Sequence, residues 1–187
     1  PISHNLHETN SMFSACENLG VDIFVNLIRR TDPAILELKS FITKELGTSR
    51  FNGFCWYCKG LYNTASHFMD VFQFLFGTPR SWNFRRKANY KNQNNDPQVD
   101  FKISFIDGDI EFKSVPNGKF FYNRFELIFE NFTVSYQQNG DLHVAFISNS
   151  GVSNDRTLVS SATTTLKADM GNYQKRVYDE IFKALKG

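Results

Sequence analysis

No stretch of the 187 residues approaches the ~20 consecutive apolar positions that a membrane helix needs. The first residues also lack the charged-then-apolar order of a signal peptide. Neither a membrane span nor an exported precursor is expected. Cysteine is scarce: three residues cannot all pair with one another, so the composition excludes a disulfide scaffold and implies a reducing, cytoplasmic setting. The Asn131-Phe132-Thr133 sequon is then accidental. Charge of one sign is missing as well. With 21 basic and 19 acidic residues the formal net charge is +2, whereas a nucleic-acid surface clusters its Lys and Arg. The one dense basic stretch, residues 80–91, reads as a protected strand edge. No Gly-x-Ser-x-Gly elbow and no Ser-His-Asp order is present, which argues against a lone hydrolase.

Aromatic residues, by contrast, are abundant. Twenty Phe and seven Tyr suit pleated, half-buried surfaces, and a 41% apolar content fills one continuous core. The hydrophobic pattern predicts a helix over 9–19 ending at Gly20, then a strand over 21–28. Such a helix-then-strand unit belongs in a parallel sheet, and nothing upstream supplies partner strands, so the chain is expected to begin inside a larger domain. Asp32-Pro33 starts a second helix, with Ile35, Leu38, Ile42 and Leu46 on its apolar face and Gly47 closing it. A strand over 50–57 and a helix over 60–76 follow.

Beyond Pro79 the chain becomes a succession of strands: 81–90, 99–106, 110–115, 121–130, 133–137, 142–148 and 158–166. Asp107-Gly108 and Asn139-Gly140 signal tight hairpins, because such turns need positive φ angles. A last amphipathic helix over 171–185 places Tyr173, Val177, Ile181 and Leu185 on one side. The expected class is α+β: a large, mostly antiparallel open β-sheet with helices packed on one face.

Chemistry concentrates in residues 59–70, at the start of the third helix. At ~100° per residue, Asn63, His67 and Asp70 share one helix face. Two explanations are open. Asn63 and Asp70 hold His67 by hydrogen bonds in a satisfied polar patch, or His67 moves a proton at the mouth of a cleft with Asn63 orienting substrate.

A resemblance extends beyond this motif. Residues 21–33, with Asn26-Leu27-Ile28-Arg29-Arg30-Thr31-Asp32-Pro33 at their end, resemble the crossover between domains in the glucose-fructose oxidoreductase and inositol dehydrogenase (Gfo/Idh/MocA) family. The helix reaching Gly47, the stretch from Tyr57 to Asp70 and the closing Leu75-Phe76-Gly77-Thr78-Pro79 follow in that family's order. The likeness implies residues 1–30 as the remnant end of an N-terminal Rossmann domain and 31–187 as the C-terminal substrate-binding and oligomerisation domain. It implies hydride transfer between NAD or NADP and a sugar, sugar acid or nucleotide-sugar hydroxyl, with acid/base work at His67. In many members an Asp stands where this chain has Asn63, which orients a hydroxyl but takes no proton at pH 7. Lys59, Asn63 and Ser66 are the implied substrate contacts.

No Gly-x-Gly-x-x-Gly follows any strand, and no Glu-Lys-Pro segment occurs. The main dinucleotide site is therefore missing, no cofactor is expected tightly bound to these residues, and the chain alone is expected to be inactive. Arg29 and Arg30 leave the predicted strand to opposite sides, with one toward the cleft or both solvated or paired with Asp32, and Tyr122 and Arg124 share a strand face that either meets substrate or is simply exposed. Cys55 and Cys58, three apart on a strand, point to opposite faces, and with His4, His7 and His143 isolated no metal site is expected. The alternative function is a non-catalytic ligand-binding or oligomerisation module. In either case a homo-oligomer is expected through the open sheet face, and no nucleic acid or membrane partner.

Overall fold

A computed structural model describes residues 3, 5–45, 50–87, 96–115, 121–148 and 159–186. The elements are α1 (Leu6–Leu19), α2 (Pro33–Glu45), β1 (Phe51–Tyr57), α3 (Ser66–Phe76), β2 (Ser81–Lys87), β3 (Val99–Ser104), β4 (Gly108–Ser114), β5 (Arg124–Phe129), β6 (Phe132–Tyr136), β7 (Leu142–Ser148), β8 (Val159–Leu166) and α4 (Tyr173–Lys186). The eight strands form one sheet in the order β2-β3-β4-β1-β5-β6-β7-β8. Only β1 and β4 run parallel; every other neighbouring pair is antiparallel. The α+β sheet with helices on one face is thus as the sequence indicates.

Alternation decides which side chains face the helices. On β1, Phe51, Gly53, Cys55 and Tyr57 point inward, while Asn52 and Phe54 face out. Directly opposed inward residues stack across the ladder: Phe101 on Phe112 at 4.3 Å and Phe125 on Tyr136 at 4.9 Å. Phe68 and Phe72 of α3 meet these rings edge-on, and Ile35, Leu38 and Ile42 bring α2 into the same core. The other sheet face has no helix over it among the described residues. It carries ion pairs such as Lys102–Asp109 and Arg124–Glu126 around Phe54 and Trp56.

Several expectations need correction. Residues 21–27 form no strand, since no strand of the sheet pairs with them and an unpaired strand leaves its backbone groups without a ladder. They lead into a 3-10 turn, Ile28–Thr31, so Arg29 and Arg30 diverge by the ~120° of that turn rather than by strand alternation. The β3–β4 hairpin forms, yet neither Asp107 nor Gly108 has positive φ. Glycine is needed at 108 for proximity: a Cβ there would lie 2.2 Å from the Phe51 carbonyl oxygen. The β6–β7 turn does use positive φ, at Gly140 (97°). Of the four α4 residues expected on one apolar side only Val177 is buried, and Leu185 is 68% exposed. The proposed helix end at Leu46 and Gly47 and the basic residues 88–91 lie outside the described residues. Among the described residues no helix is long and apolar enough to cross a membrane.

Candidate active site

The chain leaves β1 through a corner of two left-handed residues, Lys59 (φ 65°) and Gly60 (φ 100°). Gly60 packs so closely on Asp96 that a Cβ would sit 2.2 Å from its carboxyl carbon. The two Asp96 oxygens accept the backbone N–H groups of Tyr62 and Asn63, each at 2.8 Å, and the Pro97 carbonyl accepts that of Leu61 at 2.8 Å. Residues Leu61–Ala65 consequently form a π-helical turn before α3 proper begins at Ser66. Asp96 is separated from this turn by more than thirty residues, so no local pattern announces it.

The widened turn changes the face that a uniform α-helix would present. Asn63 is exposed, His67 half-buried and Asp70 buried. Asp70 does not hold His67. It takes a two-pronged contact from Arg30, with Nε donating at 2.9 Å and a second, closer bond from the terminal nitrogen. His67 Nδ1 is buried and has no hydrogen-bond partner, so the reading of a polar patch satisfied through Asn63 and Asp70 falls. Nε2 is not among the buried atoms left without a partner.

Arg29 sets the electrostatics. Its guanidinium lies 5.0 Å from the Phe68 ring centre, and its buried Nε has no partner. Burial, and then the Arg29 charge, lower the His67 pKa from 6.5 to about 4. The imidazole is therefore neutral near pH 7: it accepts a proton, but weakly. Burial pushes the Cys55 thiol up, with Arg29 pulling the other way, so the Arg29 charge is felt at β1 as well as at His67.

The remaining candidates are scattered. Ser66 Oγ donates to the Tyr62 carbonyl at 2.6 Å, and Lys59 Nζ lies 4.4 Å from the centre of the Phe121 ring. The Tyr122 N–H reaches Cys58 Sγ at 3.3 Å, which keeps Tyr122 at the same end of the sheet as the Lys59 corner. Arg124 is not brought to His67: it projects from the uncovered face, paired with Glu126. A cavity of about 350 Å³ between α2, α3 and α4 is lined by Arg30, Phe74, Arg176 and Lys183 among others. Each of its cations already has an acid: Asp70, then Asp32 with Asp169, and Glu180. Among the described residues no cluster of three or more His, Cys, Asp or Glu is placed to hold a metal.

No protein-family profile matches the chain, and no curated protein matches it in sequence. Solved structures do match. A putative oxidoreductase from Magnetospirillum magnetotacticum MS-1 superposes with a TM-score of 0.70 at 15% identity, covering 97% of this chain and 61% of that one. UDP-N-acetylglucosamine 3-dehydrogenase GnnA from Acidithiobacillus ferrooxidans gives 0.66 at 11% identity, over 98% and 61%. An oxidoreductase from Agrobacterium radiobacter, solved with NAD+, L-tartaric acid and magnesium, gives 0.61 at 13%, over 95% and 57%. What is shared is the fold. The chain spans about three-fifths of the length of these oxidoreductases.

Proposed function

We propose that the chain is the substrate-side domain of an NAD(P)-dependent oxidoreductase of the glucose-fructose oxidoreductase and inositol dehydrogenase type. Its reaction moves hydride between the nicotinamide and a hydroxyl-bearing carbon of a sugar, sugar acid or nucleotide-linked sugar. The observation that carries this reading is the neutral, half-buried His67, whose buried Nδ1 has no partner, standing where the Ile28–Thr31 turn meets α3. The oxidoreductase character of the structural neighbours supports it.

The dinucleotide does not fit the residues present. The backbone N–H groups at the start of the His67 helix, the natural anion site of such a turn, are already taken by the Asp96 carboxylate, which would repel a pyrophosphate. The cofactor therefore belongs to a separate domain, of which residues 1–30 are the end and 31–187 the substrate-binding partner. α1 supports this division, since none of its residues is buried and Leu6, Met12, Phe13 and Leu19 expose apolar surface for a neighbour to cover. Within this chain His67 holds or releases the substrate proton, Asn63 orients a hydroxyl, and Lys59, Ser66 and Tyr122 border the same end of the sheet.

The coding sequence upstream of Pro1 provides one test: a glycine-rich βαβ unit there supports the reading, and its absence overturns it. In the complete protein His67→Ala is expected to lower nicotinamide reduction ~100-fold or more. Unchanged turnover would remove His67 from proton transfer. A second reading, assembly of copies through the uncovered sheet face, is favoured by the exposure of Phe54 beside Trp56 and by ion pairs of both signs around them, including Arg124–Glu126. Phe54→Lys is expected to shift a homo-oligomer to monomer in light scattering; an unchanged mass would dismiss that interface.

A further inference from the structure

Arg29 and Arg30 are neighbours with opposite fates. Arg30 is 45% exposed and still has the Asp70 carboxylate in a two-pronged contact. Arg29 is half-buried, yet it has no acidic partner among the described residues, only the face of Phe68. A charge drawn out of water is normally paired, because desolvation costs more than an aromatic face returns. Among the other part-buried cations Arg176 meets Asp32 and Asp169, Lys102 meets Asp109, and Lys39, which has no acid, at least donates to the Leu75 carbonyl at 2.7 Å. Arg29 has neither acid nor carbonyl among the described residues. The guanidinium lies over Phe68, the residue after His67, and its charge reaches the His67 ring, which has an orphan nitrogen of its own. Two unsatisfied side chains, one cationic, converge where the Ile28–Thr31 turn crosses α3.

We propose that Arg29 receives an anionic group of the substrate, the carboxylate of a hydroxy acid, beside the His67 imidazole. The proposal deepens the oxidoreductase reading and rests on it for the word substrate; the anion site itself is read without turnover. A guanidinium fork fits a carboxylate through two parallel N–H donors, and an apolar ring beneath it keeps the site dry enough for that pairing to count.

The same contact couples binding to proton affinity. The charges that lower the His67 pKa are Arg29 from the 3-10 turn and, after it, the N-terminal ammonium, and the Arg30–Asp70 pair joins the same turn to α3. With Asp70 committed to Arg30, the larger uncompensated field is that of Arg29. A carboxylate on Arg29 cancels it, and the imidazole becomes a stronger base only when an acid substrate is in place. A neutral polyol of the same length leaves His67 a weak base.

The test uses the 187-residue chain and a matched pair of probes, D-gluconate and its uncharged counterpart D-sorbitol, with glucose 6-phosphate as a third arm. Binding is followed by calorimetry and the His67 ring by NMR, assigned with His67→Gln. Gluconate is expected to bind at least about tenfold tighter than sorbitol and to raise the His67 midpoint by about one pH unit or more. Arg29→Gln should raise the midpoint without any ligand and abolish the gluconate preference, while Arg29→Lys should keep part of it. Equal binding of gluconate and sorbitol, a His67 midpoint that gluconate leaves in place, or a preference that survives Arg29→Gln would overturn the proposal. A phosphate ester that binds tighter than gluconate would overturn the carboxylate assignment. None of these readouts needs nicotinamide, so an inactive His67→Ala enzyme without anion preference sinks only this inference, and an anion preference without dehydrogenase activity sinks only the reading above.

Discussion

Replacing His67 by Gln should flatten the acid side of the stability profile. The folded chain holds the His67 pKa at about 4, against 6.5 for a solvated imidazole, with burial as the main cause and Arg29 second. Between those two values the unfolded chain binds more protons than the folded one, so stability rises with pH across that window. Above 6.5 the neutral ring carries no charge penalty; below about 4 the penalty is complete and constant. At ~1.4 kcal/mol per pH unit the full difference is about 3.5 kcal/mol, and a half-buried site will show about 2. Urea unfolding of parent and His67→Gln at pH 7.5, 6, 5 and 4.5 reads it directly. The carboxylates Asp109 and Asp141, held low chiefly by Lys102 and Lys167, also lose stability as acid is added, but equally in both proteins. The parent should lose stability relative to the variant as pH falls from 6.5, approaching ~2 kcal/mol near pH 4.5. Parallel profiles would refute the placement of a neutral imidazole beside an unpaired guanidinium.

Two further substitutions probe the frame of the site. Asp32 is 2% exposed and accepts from the N–H groups of Ala34 and Asp169 and from Arg176, so Asp32→Ala should cost about 3 kcal/mol in urea unfolding. Asp32→Asn, which still accepts at the helix start, should cost less; equal losses would deny the charge a role. Gly60→Ala meets both a positive φ and the Asp96 carboxyl group, and should destabilise by about 2 to 4 kcal/mol, with loss of slow amide exchange at Tyr62 and Asn63. Retained protection there would show that Asp96 does not organise the turn.

The strands were legible because Phe, Ile and Val alternate along them, and α2 because Asp32-Pro33 is a local start signal whose capping bond forms at 3.0 Å. The 21–28 strand was misread for a physical reason: β-rich composition gives a strand only when a ladder partner exists, and periodicity carries no information about partners. In the site, helical spacing draws attention to His67 but leaves its role open, and the family resemblance tips the choice. Its partners were not legible. Asp70 turning to Arg30 rather than to His67, and Asp96 reaching the π-helical turn, are long-range choices made by packing. Asp107-Gly108 marked a real hairpin for the wrong cause, since glycine there admits the Phe51 carbonyl rather than a left-handed backbone.

The parallel pairing of β1 with β4 has a kinetic consequence. Phe51 lies opposite Gly108 on one side and Phe129 on the other, so the strand at the middle of the sheet finds both neighbours far along the chain. The β2-β3-β4 and β5–β8 meanders pair strands that are consecutive in the chain, whereas β1 must wait for both before it can zip them together. The Lys59 corner and the first turn of α3 hang from the end of that strand. The surroundings of His67 are therefore expected to settle only once β1 has docked, and any change that slows that docking should delay the ordering of α3 more than the appearance of sheet structure.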